Sequence, residues 1–219
     1  NLVFYAYGEP VYVLIMIGSI LVNFFAGLLM DKQSTQGRRR AVLVVGIVLN
    51  LAALGVFKYA GLFVSTLREI PGLSSLPEVD IALPIGISFY TFQAVSYLID
   101  VYWDDCAASH NLINFASYIS LFPQLIAGPI VRYKDVNEQL VSRRETPTLF
   151  NSGVRLFVVG LAKKVLLANQ FGMLWDAMSA DPVAAGALGA WAGACAYTLQ
   201  IYFDFAGYSD MARGLGRML

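Results

Sequence analysis

A chain of 219 residues that is 58% hydrophobic and only 14% charged is too apolar for a water-soluble domain, which averages about 45–50% apolar and about 25% charged residues. Its 15 basic and 15 acidic side chains cancel to a formal net charge of +0, so no global attraction to nucleic acid is expected. Two distant cysteines, Cys106 and Cys195, and a single histidine argue against a disulfide framework and a protein-built zinc site.

A helix that crosses a bilayer needs about 20 mostly apolar residues. The run over 10–30 has that length and closes on the polar stretch 31–40. A second run covers 41–64, after which Pro71, Gly72 and Pro77 break the chain into a loop. The third, over 81–103, is entered through Leu83-Pro84-Ile85-Gly86, where a proline suits a first helical turn. Residues 112–131 are apolar enough to span, but Pro123 and Gly128-Pro129 interrupt them, and proline removes a backbone donor. Then come 147–164, an interfacial or tilted helix ending at Lys163-Lys164, and spans over 165–180 and 187–208. The expected fold is all-α: a polytopic transmembrane helical bundle with at least one re-entrant or broken helix, in one membrane domain over 1–219. The chain opens on Asn1 and stops at Leu219, and it is expected to be a fragment of a larger protein.

Loop charges set the orientation by the positive-inside rule. Loop 31–40 carries Lys32, Arg38, Arg39 and Arg40 against one acid, and 132–145 carries Arg132, Lys134, Arg143 and Arg144, so both belong inside. The segment 65–80 sets Arg68 against Glu69, Glu78 and Asp80, and 176–186 has no lysine or arginine, so both belong outside. If 81–103 runs from outside to inside, both ends of 112–131 lie on the inner side and the segment turns back within the membrane. Non-helical backbone at that depth survives only inside protein or beside a cavity, so a cavity is expected near 123–129. A kinked complete span is the alternative.

Polar stripes recur at helical spacing. Tyr90, Gln93, Tyr97 and Asp100 share one face of the third span, and Tyr197, Gln200, Asp204 and Tyr208 share one face of the last. Carboxylates are costly against lipid, so these faces look into the bundle. Gln93, Tyr97, Asp100 and Gln200 are read as a buried polar scaffold. His110, in the connector after Asp104-Asp105, reads as part of a helix cap rather than as a general base. Lys163-Lys164 reads as a pair snorkelling to the cytoplasmic interface, with a cationic mouth for an anionic donor as the alternative.

Three blocks carry a family resemblance: Leu83-Pro-Ile-Gly-Ile-Ser-Phe-Tyr-Thr-Phe-Gln with Tyr97-Leu-Ile-Asp-Val-Tyr; Phe122-Pro-Gln-Leu-Ile-Ala-Gly-Pro-Ile-Val-Arg; and Tyr202-Phe-Asp-Phe-Ala-Gly-Tyr-Ser-Asp-Met-Ala. In this order they resemble the membrane-bound O-acyltransferase (MBOAT) family, closest to its alginate O-acetylation branch. The resemblance implies a ring of tilted helices around a tunnel. The implied lining is Phe122, Pro123, Gln124, Gly128, Pro129 and Arg132 from the second block and Tyr202, Asp204, Tyr208 and Asp210 from the third. The family's essential histidine follows the third block, so the catalytic residue is expected downstream of Leu219, and His110 does not match it.

The resemblance also implies transfer of an acetyl group from a cytoplasmic donor to hydroxyls of an exported, alginate-like polysaccharide. The donor is acetyl-coenzyme A or an acylated carrier, with no bound cofactor and no metal. Expected partners are the lipid bilayer, the polysaccharide acceptor, and periplasmic or membrane proteins of an acetylation complex, with no nucleic acid. The expected location is the bacterial inner membrane, crossed several times. The rival classes are a membrane transporter or flippase, which predicts an internal repeat that is not evident, and a non-catalytic subunit of a polysaccharide export complex.

Overall fold

The computed structural model describes residues 1–70, 77, 81–125, 131–141 and 146–218. Among these residues every regular element is helical. Three helical stretches are long and apolar enough to cross a membrane: Val13–Asp31, Gln36–Arg68 and Pro147–Ala180. The chain divides into two compact units, one holding the described residues up to 141 and the other those from 146 onward.

The first unit begins with α1 (Leu2–Gly8), α2 (Val13–Asp31) and α3 (Gln36–Arg68). Helices α2 and α3 carry few buried residues for their length, and their aliphatic side chains are widely exposed, as lipid-facing helices should be. Besides the contact of the Tyr12 and Phe57 rings, they are joined by a polar bridge. Asn23 and Asn50 exchange amide hydrogen bonds, Asn23 Nδ2 donating to Asn50 Oδ1 at 3.0 Å and Asn50 Nδ2 to Asn23 Oδ1 at 2.8 Å. The second hydrogen of each amide goes to its own helix, to the Ser19 and Gly46 carbonyls. Both amides are thereby satisfied where no water competes, which is the condition for burying them.

Helix α4 forms over Ile87–Tyr102, shorter than the expected 81–103. Its start is delayed by Gly86, which sits at φ +76° in the left-handed region open to glycine. A Cβ at Gly86 would also collide with the backbone oxygen of Leu125, so the first and second motif blocks touch there. Helix α4 is the unit's core element: Ile87, Tyr90, Ala94, Tyr97, Leu98 and Val101 are all buried.

The segment expected as re-entrant or broken contains α5 (Leu112–Ile119) and the single turn α6 (Phe122–Leu125), separated at Ser120-Leu121. Each is far too short to cross a bilayer. Residues 126–130, with Gly128 and Pro129, lie outside the described set, as does the side chain of Gln124. Helix α7 (Tyr133–Val141) closes the unit.

The second unit is a long antiparallel pair. Helix α8 (Pro147–Ala162), a π-helical turn (Lys163–Ala168) and α9 (Asn169–Ala180) follow without a break. The division expected between 164 and 165 is thus a wider turn in a continuous rod, because a π turn keeps the hydrogen-bond ladder running. Helix α10 (Pro182–Met218) returns along it and is interrupted at Gly186, φ +61°. The two strips meet through glycine. A Cβ on Gly160 would lie 2.5 Å from the Gly207 carbonyl oxygen, and one on Gly153 would lie 2.7 Å from that of Gly214. The seven-residue spacing of each pair stacks both notches on one helix face.

Candidate functional site

Polar groups concentrate in two places, one in each unit. In the first unit they gather at the C-terminal end of α4. Arg39, from the start of α3, forms two bonds to Asp104 (Nη1 to Oδ2 at 3.0 Å, Nη2 to Oδ1 at 2.6 Å) and also donates to the Val101 carbonyl at 2.9 Å. It thereby adds a charged donor to a carbonyl at the C-terminal end of α4, and its guanidinium holds the Asp104 carboxyl below its usual range. His110 is exposed and lies 3.5 Å from Asp31. The cap of α5 is Asn111, whose side chain accepts from the N–H groups of Ile113 and Asn114.

Asp100 is nearly fully buried on α4, with Arg132 Nη1 at 3.9 Å and its Oδ2 without a hydrogen-bond partner among the described residues. Lys134 reaches Asp105 at 3.3 Å. Between these charges lies an aromatic cluster of Tyr97, Phe115, Tyr118 and Tyr133, with ring centroids 4.6–6.3 Å apart. Gln93 Nε2 donates to the Tyr118 carbonyl at 3.0 Å, Tyr97 Oη accepts from the Ser109 N–H at 3.0 Å, and Tyr118 Oη donates to the Val131 carbonyl at 2.8 Å. The α4 stripe thus holds Ser109 and Tyr118 against the helix by side-chain bonds.

The path of this stretch can be followed from α4. Ser109 and Phe115 meet Tyr97, Tyr118 meets Gln93, and Leu125 meets Gly86 at the opposite end of the helix. Arg132 and Tyr133 are back beside Asp100 and Tyr97. Both flanks of 112–131 therefore lie at the same end of α4, with α6 at the far end. Phe122 also packs on Phe4, ring centroids 5.7 Å apart, and Pro123 is buried.

Cys106 lies in the connector beside these acids. Burial, reinforced by Asp100 and Asp105, pushes its thiol up to about 11. Because ionisation is disfavoured in the fold, the thiolate reaches only roughly a thousandth of the population at pH 8. The Cys106 alkylation rate, measured in a Cys195→Ser background, is expected to climb steadily from pH 8 to pH 10. A plateau near pH 9 would show an ordinary thiol.

In the second unit the polar centre is the π turn. Lys163 Nζ bonds Asp210 Oδ2 at 2.6 Å, and Lys164 Nζ bonds Asp204 Oδ1. The two lysines straddle Gly207: a Cβ there would lie 3.2 Å from the Lys164 backbone nitrogen and 3.4 Å from Lys163 Cβ. Asp204 and Asp210 stand three residues to either side of that glycine, each taking one lysine. Asp210 also has Arg213 Nη1 at 3.6 Å and is only 14% exposed, whereas Lys164 and Asp204 are 45% and 50% exposed. The reading of both lysines as snorkelling groups is replaced here by paired charges between helices.

Gln200 packs on Gly172, with its Oε1 buried and without a hydrogen-bond partner among the described residues. Tyr202 is largely exposed, its ring against Phe203, outside the lysine–aspartate cluster; Tyr208 is half-buried. Two features escaped the sequence reading. The Asn23–Asn50 bridge was signalled only by two lone amides in apolar runs, and the lysine–aspartate pairing depends on how two distant segments face each other. No cluster of metal-binding side chains occurs among the described residues.

Comparison with known proteins places the second and third blocks in context. Residues 106–217 match the family model described as MBOAT, the membrane-bound O-acyltransferase family. The chain is 44% identical to the probable alginate O-acetylase of Pseudomonas aeruginosa, over 99% of this chain and 42% of that protein. It is 32% identical to the peptidoglycan O-acetyltransferase of Helicobacter pylori, over 99% of this chain and 46% of the relative. With the teichoic acid D-alanyltransferase of Streptococcus thermophilus it shares 30% identity over 62% of this chain and 34% of the relative. The chain spans less than half the length of the curated relatives it matches.

Proposed function

Because the chain belongs to the membrane-bound O-acyltransferase family, we propose that its parent protein moves an acetyl group from a cytoplasmic thioester donor to a hydroxyl of an exported polysaccharide. The acceptor oxygen bonds to the acetyl carbonyl carbon, the carbon–sulfur bond breaks, and the acceptor proton ends on the departing thiol. The donor is acetyl-coenzyme A or an acylated carrier protein. The acceptor class follows the names of the relatives, an alginate O-acetylase and a peptidoglycan O-acetyltransferase.

The observation that carries a polar pathway is the Lys164–Asp204 pair, about half exposed beside the middle of a 34-residue apolar rod. Charges at that depth are tolerated against protein or water and not against lipid. This face of α8 and α10 is therefore assigned to a polar lumen, with Asp204, Tyr208 and Asp210 on it, and Tyr202 assigned to the bilayer side. In the first unit, the return of 112–131 to one end of α4 supports a re-entrant element rather than a complete span. Phe122 and Pro123 are assigned to its turn-back, and Arg132 to its cytoplasmic mouth. Periplasmic or membrane partner proteins at the bacterial inner membrane belong to the same proposal.

His110 lies at an exposed connector against Asp31, a poor place to keep water from an acyl transfer. His110 is therefore not assigned the proton-handling role, in keeping with the resemblance, which implies a different histidine. Acetyl transfer to polysaccharide is to be measured with the full-length protein in proteoliposomes, donor inside and acceptor outside. Retained transfer in His110→Ala, and loss of transfer without donor on the cytoplasmic side, are expected. Transport of unmodified polysaccharide without acetylation would instead support a flippase.

The re-entrant assignment has its own test. Single cysteines at positions 110 and 134, in a background without Cys106 and Cys195, are expected to react with an impermeant maleimide from the cytoplasmic face only. Reaction from opposite faces would make 112–131 a complete span.

A further inference from the structure

Helices α2 and α3, packed on α4, border a cavity of about 330 Å³ in the first unit. That is near the lower end of the roughly 300–1,000 Å³ usual for ligand pockets. Its rim is formed by Gly18, Val22, Leu49 and Ala53, all exposed and all without a polar side chain. Its floor includes the buried Asn23–Asn50 bridge. Asn23 lies ten residues beyond the start of α2, about 15 Å along the axis, which is half the thickness of a hydrocarbon core of about 30 Å.

We propose that this cavity seats one acyl chain of a membrane phospholipid. Three features select that occupant. The rim residues lie on two apolar helices long enough to cross the membrane, so the mouth opens on bilayer hydrocarbon and not on water. Most of the polar floor is already committed, since both hydrogens of each amide are donated within the protein; among the described lining groups the Tyr90 hydroxyl alone is buried without a partner. The walls combine the aliphatic side chains of Ile15, Val22, Leu49 and Ile87 with Ser19, Tyr90 and Thr91, and an occupant there gains packing contacts that an empty slot forfeits. A bound chain would brace α2 against α3 between the amide bridge and the Tyr12–Phe57 ring contact. This goes beyond the acyl-transfer reading and does not depend on it, since the cavity is built from the first unit alone and the lysine–aspartate centre from the second.

The test uses the full-length protein, extracted in mild detergent from vesicles of phosphatidylethanolamine and phosphatidylglycerol, with retained phospholipid counted by native mass spectrometry. Wild-type protein is expected to keep one phospholipid per chain after the surrounding lipid is stripped. Gly18→Trp should lose it. No heavy atom lies within 4 Å of the position its Cβ would take, so the new ring has room to occupy the mouth without displacing protein. Ala53→Phe should lose it from the opposite rim, while Val44→Trp, an exposed position on α3 away from the cavity, should retain it. Thermal melting of the four proteins separates displacement from unfolding: the two rim variants are expected to melt cooperatively. Should either rim variant fail to fold, the other carries the comparison. Should both fail, a motion-restricted population of spin-labelled phosphatidylglycerol on the wild type supports the site and its absence overturns it. Equal retention in wild-type and folded rim variants, or no retained phospholipid in the wild type, overturns the proposal. The latter is the result expected if another segment of the protein fills the slot.

Discussion

Replacing Lys163 with methionine is expected to destabilise the second unit far more than the same change at its neighbour Lys164. Asp210, the partner of Lys163, is 14% exposed, and after the substitution only Arg213 at 3.6 Å remains to face it. Removing one member of a fully buried pair costs about 3–5 kcal/mol. Lys163 is itself 35% exposed, so about 2–3 kcal/mol is the scale expected once solvent screening is allowed for. Lys164 and Asp204 are half exposed, and if their face meets water their pairing contributes about 1 kcal/mol or less. Denaturation of the full-length protein in micelles should therefore separate Lys163→Met from Lys164→Met. Adding Asp210→Asn to Lys163→Met should recover most of the loss, because no buried charge is then left alone. Equal losses for the two lysines would place Lys164–Asp204 in a dry environment and undo the polar-lumen assignment.

A comparable loss is expected from a single methyl group at Gly160. Its Cβ would sit 2.5 Å from the Gly207 carbonyl oxygen and 2.8 Å from the Met211 nitrogen. Backbone cannot rotate out of the way as a side chain can, so α8 and α10 must separate. Overpacking of this kind costs about 1–3 kcal/mol, and here separation also lengthens the adjacent Lys163–Asp210 bond. Gly55 on α3 is the control, with nothing within 4 Å of the same methyl. Alanine there should be neutral or stabilising by up to about 1 kcal/mol, since it has the higher helix propensity. Melting temperatures of Gly160→Ala and Gly55→Ala should thus move in opposite directions. A fall of equal size in both would show that glycine serves helix flexibility, not close approach.

The two results bear on different levels of the structure. That α2, α3 and the 147–180 rod are long apolar helices was legible in the sequence, because length and hydropathy are local properties and a bilayer rewards them directly. The grouping of Gln93, Tyr97 and Asp100 was legible for a similar reason, as helical spacing alone puts them on one face. Their partners were not. Gln93 bonds a carbonyl 25 residues away and Tyr97 a backbone N–H 12 residues away, and neither choice is encoded in the stripe itself.

Lys163-Lys164 shows the limit most clearly. From sequence, two lysines near the end of an apolar run suggest snorkelling to the interface. In the fold, the π turn and the Gly160–Gly207 notch bring α10 close enough for aspartates 40 and 47 residues away to pair with them. Likewise, the loop charges raised the prospect that 112–131 turns back, while the bonds of Asp105, Asp100 and Tyr97 to the two flanks brought both to one end of α4. The sequence by itself determined the helices, their apolar faces and the family. Tertiary structure alone decided which buried polar groups meet, because an unsatisfied charge or amide in a dry interior is too costly to leave and its partner is set by packing across the chain.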